Sequence, residues 1–163
     1  MKTKCPQILG SALLIAICFL LNTSSAQAAD RKAADFTQFH GRVQVNFLKW
    51  VKDMPNMSGV VSGDVGAGLF VGEVLNEVDT ATTTKVDALY HINGNAFQFT
   101  AHNHVLQDNI KGTAVIHGVV KDGPLKGAKV LGEYHVVSPC GIINAQNGDA
   151  GDVCFQGTLT VTF

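Results

Sequence analysis

Charged side chains are scarce in this chain, and their scarcity argues against one class of partner before any motif is considered. They make up 15% of the residues, and the formal net charge at pH 7 is −1. No cluster of lysine and arginine stands out along the sequence. Proteins that bind nucleic acids need such a basic patch to meet the phosphates, so nucleic acid is not an expected partner.

Familiar catalytic signatures are missing as well. The sequence has no Gly-x-Ser-x-Gly elbow, no Cys–His nucleophile pair and no His-Glu-x-x-His helix. The glycine-rich stretch GDVGAGLFVG, residues 63–72, lacks the Lys-Ser/Thr that completes a phosphate-binding loop. Hairpin turns and close strand contacts explain these glycines better. No cofactor is therefore expected.

The N-terminus has the order of a secretory signal peptide. Lys2 and Lys4 precede an apolar run of about 14 residues, which is too short to cross a bilayer comfortably, and Ala26-Gln27-Ala28 follows. The sequence predicts a signal peptide over residues 1–28, a flexible lead-in over 29–40 and one domain over 41–163. We expect a secreted or periplasmic protein with no stable membrane insertion after cleavage, whose formal charge is −3.

Only two of the four cysteines, Cys140 and Cys154, remain after the signal peptide is removed. An even pair in an oxidising compartment predicts a disulfide that closes the intervening loop. A redox-active pair would need the close Cys-x-x-Cys spacing, which is absent.

Short runs that alternate with a period of two dominate the mature chain and predict strands. They cover roughly residues 42–51, 57–63, 68–78, 83–93, 96–107, 110–121, 128–138 and 154–163. The second half of the first run is also compatible with a helix. Eight short antiparallel strands predict an all-β fold, an up-and-down β-barrel of about eight strands, with a sandwich as the alternative.

Turn signals allow the strand register to be predicted. If Asn93-Gly94 forms a two-residue hairpin, Tyr90 pairs with Phe97 on the apolar face. If Asp108-Asn109 turns the next hairpin, Ala101 pairs with Ile116 on the same face. In the last strand, Phe155, Leu159, Val161 and Phe163 are expected to point inward and the threonines outward.

Several histidines share the opposite, solvated face under this register. An alternating His102-x-His104 pair suits zinc or copper, and His117, His135 and Glu133 lie on neighbouring strands. A cupin would need a glutamate where Asp108 stands. We expect no metal, because scattered surface histidines explain the pattern. The alternative is a cupin-like metal protein with ligands His102, His104, His117 and Glu133.

Polar residues on the apolar face are the preferred catalytic candidates. They are Glu73, Tyr90, Asn103 and Tyr134, with Phe97, Phe99, Ala101 and Ile116 as candidate ligand-binding residues. A buried carboxylate beside tyrosines and an amide could orient and polarise a ligand. If a bulge intervenes in this strand, Glu73 turns to solvent and Phe70 and Val74 point inward instead.

The stretch DGPLKGAKVLGEY, residues 122–134, resembles a late hairpin of the allene oxide cyclase and dirigent-type barrels, which are calycin-like in outline. There a glycine-rich turn, an apolar residue and a small pair precede Gly-x-Tyr and a closing strand, which here is GTLTVTF. The resemblance implies an apolar cavity that steers cyclisation or coupling of small organic molecules. It carries over no catalytic residue by position, and the Cys140–Cys154 loop departs from the family pattern.

Together these features predict an exported small barrel that binds a small, largely apolar molecule in its interior. Small residues on the apolar face, such as Ala88, Gly118 and Gly157, favour a pocket there, although aromatic side chains could fill it. The protein could act as a cyclase or isomerase, or as a non-catalytic carrier. The sequence leaves both alternatives open, and it leaves a homo-oligomer open too.

Overall fold

The computed structural model describes residues 36–140, 142–143, 150–151 and 153–163. The predicted signal peptide and residues 29–35 of the predicted lead-in lie outside the described residues. Phe36–Phe39, also in the predicted lead-in, form one turn of 3-10 helix. No helix among the described residues is long and apolar enough to cross a membrane.

Eight antiparallel strands close into one barrel, which confirms the predicted all-β, up-and-down architecture. Each strand pairs with the next in sequence, and the last pairs with the first. The strands are β1 (Arg42–Asp53), β2 (Asn56–Gly63), β3 (Gly68–Asp79), β4 (Thr83–Gly94), β5 (Gln98–Asp108), β6 (Thr113–Asp122), β7 (Lys129–Val137) and β10 (Cys154–Thr162). Between β7 and β10, the short strands β8 (Ile142–Ile143) and β9 (Ala150–Gly151) pair with each other.

The core is formed by every second residue along the strands, as a pattern with a period of two requires. In β1, Val43, Val45 and Phe47 are buried while the residues between them are exposed, and the alternation continues to the buried Lys49. The second half of β1 is strand up to Asp53, so the helix alternative for that segment is wrong. An extended chain that pairs with β2 and β10 over its length satisfies its backbone polar groups by ladders on both sides.

The predicted register between β4 and β5 is wrong by an even number of positions. Tyr90 pairs with Ala101 rather than with Phe97, and residues 95–97 form the connection. Gly94 does not turn the hairpin because it pairs with Gly68 of β3. The residues after Gly94 also bond to the loop before β3. The backbone N–H groups of Asn95 and Ala96 donate to carbonyl oxygens in that loop, each at 3.0 Å.

The register between β5 and β6 is shifted in the same way. Ala101 pairs with Val120 rather than with Ile116, and the turn spans residues 109–112. The Asp108 carboxylate accepts hydrogen bonds from the backbone N–H groups of Ile110 and Lys111 at 3.0 and 2.9 Å, which fixes this longer turn. Both shifts are even, so each side chain keeps its predicted face.

The two ends of the barrel differ. Loop residues fill one end: Val65, Phe97 and Leu125 are buried there, and the Phe39 ring packs edge-on against Phe97 at 6.0 Å. We call this the closed end. Inward-facing residues near the other end of the strands are only half-buried; they are Val74, Val86, Gln107, Val136 and Phe155. We call it the open end.

One packing prediction is wrong. Phe163 lies beyond the end of β10 and is 48% exposed instead of pointing into the core. At Gly157, aromatic side chains take up the space that the missing Cβ leaves, which is the alternative that the sequence left open. A Cβ at Gly157 would lie 2.8 Å from Cζ of Phe47 and 2.7 Å from Cβ of Tyr134.

A buried lysine and two tyrosines form the candidate functional site

Lys49 is the most unusual residue of the interior. It follows Val43, Val45 and Phe47 on the inner face of β1, two positions before the exposed Val51. Its side chain is only 3% exposed. Lysine is almost never buried to this degree unless it is paired, so its position demands an explanation.

Aromatic rings surround the Lys49 amine instead of carboxylates. Its Nζ lies 4.4 Å from the ring centre of Tyr90 and 4.9 Å from that of Tyr134. Three phenylalanine rings lie 5.6–5.7 Å away; they belong to Phe47, Phe70 and Phe155. Within the described part of the chain, Lys49 forms no ion pair. Burial without a counter-charge lowers the pKa of Lys49 to about 7.

Tyr90 is the hydrogen-bond partner of this amine. Nζ of Lys49 donates to Oη of Tyr90 at 2.5 Å, and Tyr90 is completely buried on β4. Burial, with a smaller contribution from Tyr134, raises the pKa of Tyr90 above its ordinary value. The phenol therefore stays protonated and can donate its own hydrogen to a third group.

Tyr134 connects the buried amine with the open end. Its hydroxyl donates to Oε1 of the half-buried Gln107 at 2.7 Å, and its ring packs edge-on against Phe155 at 5.3 Å. Burial, and then the Glu77 carboxylate, raise the pKa of Tyr134. An amine, two phenols and an amide thus form a chain of contacts from the core towards the open end.

The predicted catalytic set is only partly brought together. Tyr90 and Tyr134 lie inside as predicted, both beside Lys49. Asn103 also points inward and is completely buried, opposite Ala88 and Gly118. Its Nδ2 donates to the carbonyl oxygen of Ala101 at 3.3 Å, while its Oδ1 has no hydrogen-bond partner among the described residues. Asn103 is therefore a buried acceptor that a ligand or water could satisfy.

The predicted inward position of Glu73 is wrong. Glu73 is exposed, while Phe70 is buried and Val74 half-buried, as the alternative with a bulge required. The bulge lies at Leu75, between the pairs formed by Val74 and Asn76. The extra residue reverses the faces beyond it, so the carboxylate that affects the site is Glu77 and not Glu73.

The four candidate ligand-binding residues lie in the core, and two of them lie away from Lys49. Phe97, Phe99, Ala101 and Ile116 are all buried. Phe97 and Phe99 pack towards the closed end, where a Cβ at Gly123 in the β6–β7 loop would contact Phe99. The open end is lined by other residues than these four.

The histidines lie on the outer face, as predicted, but with different neighbours. His104 is directly opposite Asp87 on one side and His117 on the other. Nδ1 of His104 contacts the Asp87 carboxylate, and the His102 and His104 ring centres are 5.0 Å apart. One possible ligand atom from each of Asp87, His102 and His104 lies within 4.8 Å of the others. Glu133 does not belong to this group.

A shallow depression of about 410 Å³ on the outer face includes Asp87, His104 and His117. A larger depression of about 1000 Å³ is lined mostly by residues that face outward from β1, β2, β5, β6, β7 and β10. Neither is lined by Lys49 or Tyr90. Gln107 and Tyr134 do line the larger depression, so it adjoins the outer part of the site, whereas the smaller depression includes neither.

The sequence contained a signal for one of the two residues that were missed. Strict alternation through Val43, Val45 and Phe47 would have assigned Lys49 to the inner face. The bulge that selects Glu77 over Glu73 has no comparable local signal. Comparisons of the chain with protein-family models, curated proteins and solved structures found no match.

Proposed function

We propose that this protein is an exported barrel that binds one small, largely apolar organic molecule at its open end. The observation that carries the proposal is the Lys49 amine without a counter-charge, which is hydrogen-bonded to Tyr90 and lies beside the half-buried Phe155 of the open end. Keeping an unpaired amine in an apolar interior costs stability, and such costs concentrate at binding and catalytic sites.

The proposed chemistry is that of a cyclase or isomerase. Lys49 and Tyr90 are the polar groups that would meet the ligand, and Tyr134 with Gln107 would orient it near the opening. The late hairpin's resemblance to allene oxide cyclase and dirigent-type barrels supports the same class. A carrier would use this site for affinity alone, so turnover of the bound molecule distinguishes the two functions.

The binding site can be tested with two variants, one that places a charge on the inner face of the sheet and one that places it on the outer face. Val86 is half-buried on the inner face near the opening, while Val78 is 53% exposed. Val86→Arg is expected to weaken binding of a small apolar alcohol such as cinnamyl alcohol by at least about tenfold, because it puts a charge in the apolar entrance. Isothermal titration calorimetry measures the change, with Val78→Arg as the matched control. Equal affinities of the two variants would contradict binding at the open end.

A second candidate function is metal binding on the outer face. Asp87, His102 and His104 offer a carboxylate and two imidazoles within 4.8 Å of one another, which are ligand types that zinc accepts. His117 lies directly opposite His104 on β6 and is the candidate for a further imidazole ligand.

If the outer face binds metal, the purified protein takes up one Zn²⁺ per chain. His104→Ala is then expected to reduce the affinity at least about tenfold, because it removes the central ligand of the group. His135→Ala is the matched control, since His135 is exposed on β7 outside the group. Calorimetric titration with zinc chloride provides the measurement. Equal loss in both variants would indicate scattered surface binding instead.

A further inference from the structure

The Lys49 site also indicates the chemical class of its ligand, and this inference rests on the proposed function. We propose that the molecule bound at the open end is an aldehyde or ketone, which Lys49 captures as an imine while Tyr90 supplies the proton. The argument starts from which atoms are free at the site. Nζ of Lys49 donates one hydrogen to Oη of Tyr90, so the lone pair of a neutral amine and the phenolic hydrogen both remain available.

The geometry matches a carbonyl group. Nζ and Oη are 2.5 Å apart, so a carbonyl carbon above Nζ brings its oxygen within reach of the Tyr90 hydroxyl. The surrounding rings exclude water, which would otherwise hydrolyse the product. A desolvated lysine in an apolar pocket is a known way to obtain an amine nucleophile near neutral pH. The lowered pKa of Lys49 agrees with this geometry.

The covalent step balances within the site. The amine lone pair forms the N–C bond, the carbonyl π electrons move to oxygen, and Tyr90 gives that oxygen its proton. The nitrogen then returns a proton to the Tyr90 oxygen, which completes the carbinolamine. Tyr90 next protonates the hydroxyl, the C–O bond breaks, and water leaves as the C=N bond forms and nitrogen returns its second proton to the Tyr90 oxygen. One amine and one carbonyl give one imine and one water, with no oxidant or reductant.

Few other ionisable groups face the amine. Tyr90 from β4 and Tyr134 from β7 contact it, and both phenols stay protonated near neutral pH because their pKa values are raised. Phe47 of β1, Phe70 of β3 and Phe155 of β10 carry no charge. Glu77 acts on Tyr134. The pH dependence of capture should therefore follow the ionisation of Lys49 itself.

The test uses cinnamaldehyde as the probe, sodium cyanoborohydride as the trapping reductant and peptide mass spectrometry as the readout. Reduction of the imine leaves a stable secondary amine, which adds the mass of the aldehyde less its oxygen. At pH 7, a lysine with the ordinary pKa of about 10.4 has roughly one neutral amine in 2,500, whereas Lys49 has about half. We expect Lys49 to be modified at least about tenfold faster than the exposed Lys85. The rate at Lys49 should level off above pH 7, where its amine is already mostly neutral.

Two variants make the assignment specific. Tyr90→Phe should slow capture by at least about tenfold at pH 7, because it removes the proton donor. Lys85→Met should leave capture at Lys49 unchanged, since Lys85 lies on the outer side of β4 and is exposed.

Cinnamyl alcohol separates this inference from the proposed function, because it has the same shape but no electrophilic carbon. Modification of exposed lysines alone, with the alcohol still bound, would overturn imine formation and leave small-molecule binding in place. Failure of the alcohol to bind, together with an unmodified Lys49, would overturn both.

Discussion

Lys49→Met is expected to stabilise the barrel by about 2 kcal/mol at pH 7 and to abolish most of its pH dependence between pH 7 and 10. In the native protein the pKa of Lys49 is about 7, because burial disfavours the ammonium form. In the unfolded chain the pKa returns to about 10.4. The unfolded state therefore binds more protons over this interval, and stability rises with pH.

The size of the effect follows from linkage. Each pH unit between the two pKa values contributes up to about 1.4 kcal/mol, so the native protein should gain about 3 kcal/mol from pH 7 to pH 10. Above about pH 10 the direction reverses. Tyr90 and Tyr134 have raised pKa values when folded, so tyrosine ionisation then favours the unfolded chain. Methionine has a similar length and no charge, but it leaves the Tyr90 hydroxyl without its partner, which offsets part of the gain.

Urea unfolding of the native protein and the variant at pH 6, 7, 8, 9 and 10 measures this difference. Lys85→Met is the control, because removing an exposed amine should leave the pH profile of the native protein in place. Parallel stability curves for the native protein and Lys49→Met would contradict a neutral, buried amine. A stabilised variant that no longer captures cinnamaldehyde would show that this lysine is kept for function at a cost in stability.

The faces of the strands could be predicted from the sequence better than the pairing between them. Alternation assigns Tyr90, Asn103 and Tyr134 to the interior, and all three lie there. Pairing requires knowing where each turn closes, and Asn93-Gly94 suggested a turn two residues too early. Gly94 is used instead to bring β4 against the loop before β3: a Cβ there would lie 2.1 Å from the carbonyl oxygen of Val65. That contact joins residues distant in sequence, so no local signal predicts it.

The site residues, too, could be predicted where local patterns decide them but not where contacts between strands do. Lys49 follows from local alternation, whereas the choice of Glu77 over Glu73 depends on a bulge stabilised by neighbouring strands. The backbone N–H of Val74, just before the bulge, donates to the carbonyl oxygen of Pro55 at 2.8 Å, in the turn between β1 and β2. Local patterns thus identify the inner residues, and contacts between strands decide which of the polar ones meet.

Replacing both Cys140 and Cys154 with alanine is expected to lower the free energy of unfolding by about 3 kcal/mol. The two residues are joined by a disulfide across 14 positions. A cross-link of this length lowers the entropy of the unfolded chain, which is worth about that much free energy. For a domain of this size the melting temperature should fall by about 10 °C. The barrel itself should persist, because β10 pairs with both β1 and β7 along its length.

Calorimetry and urea unfolding of the double variant measure this loss, and reduced native protein should behave in the same way. The slope of the urea transition should increase, since the unfolded chain exposes more surface without its cross-link. An unchanged slope with a large loss of stability would place the effect in the folded barrel instead.

The double variant of Cys140 and Cys154 also tests whether the disulfide affects access to Lys49. Phe155 follows Cys154 directly, and its ring packs on Tyr134, which lies between Lys49 and the open end. Loosening the start of β10 should let this pair move and expose the amine more often, so cinnamaldehyde capture at Lys49 should become several-fold faster. The rate at Lys85 is the internal control. If capture at Lys49 stays constant while stability falls, the disulfide restrains the unfolded chain and has no part in guarding the open end.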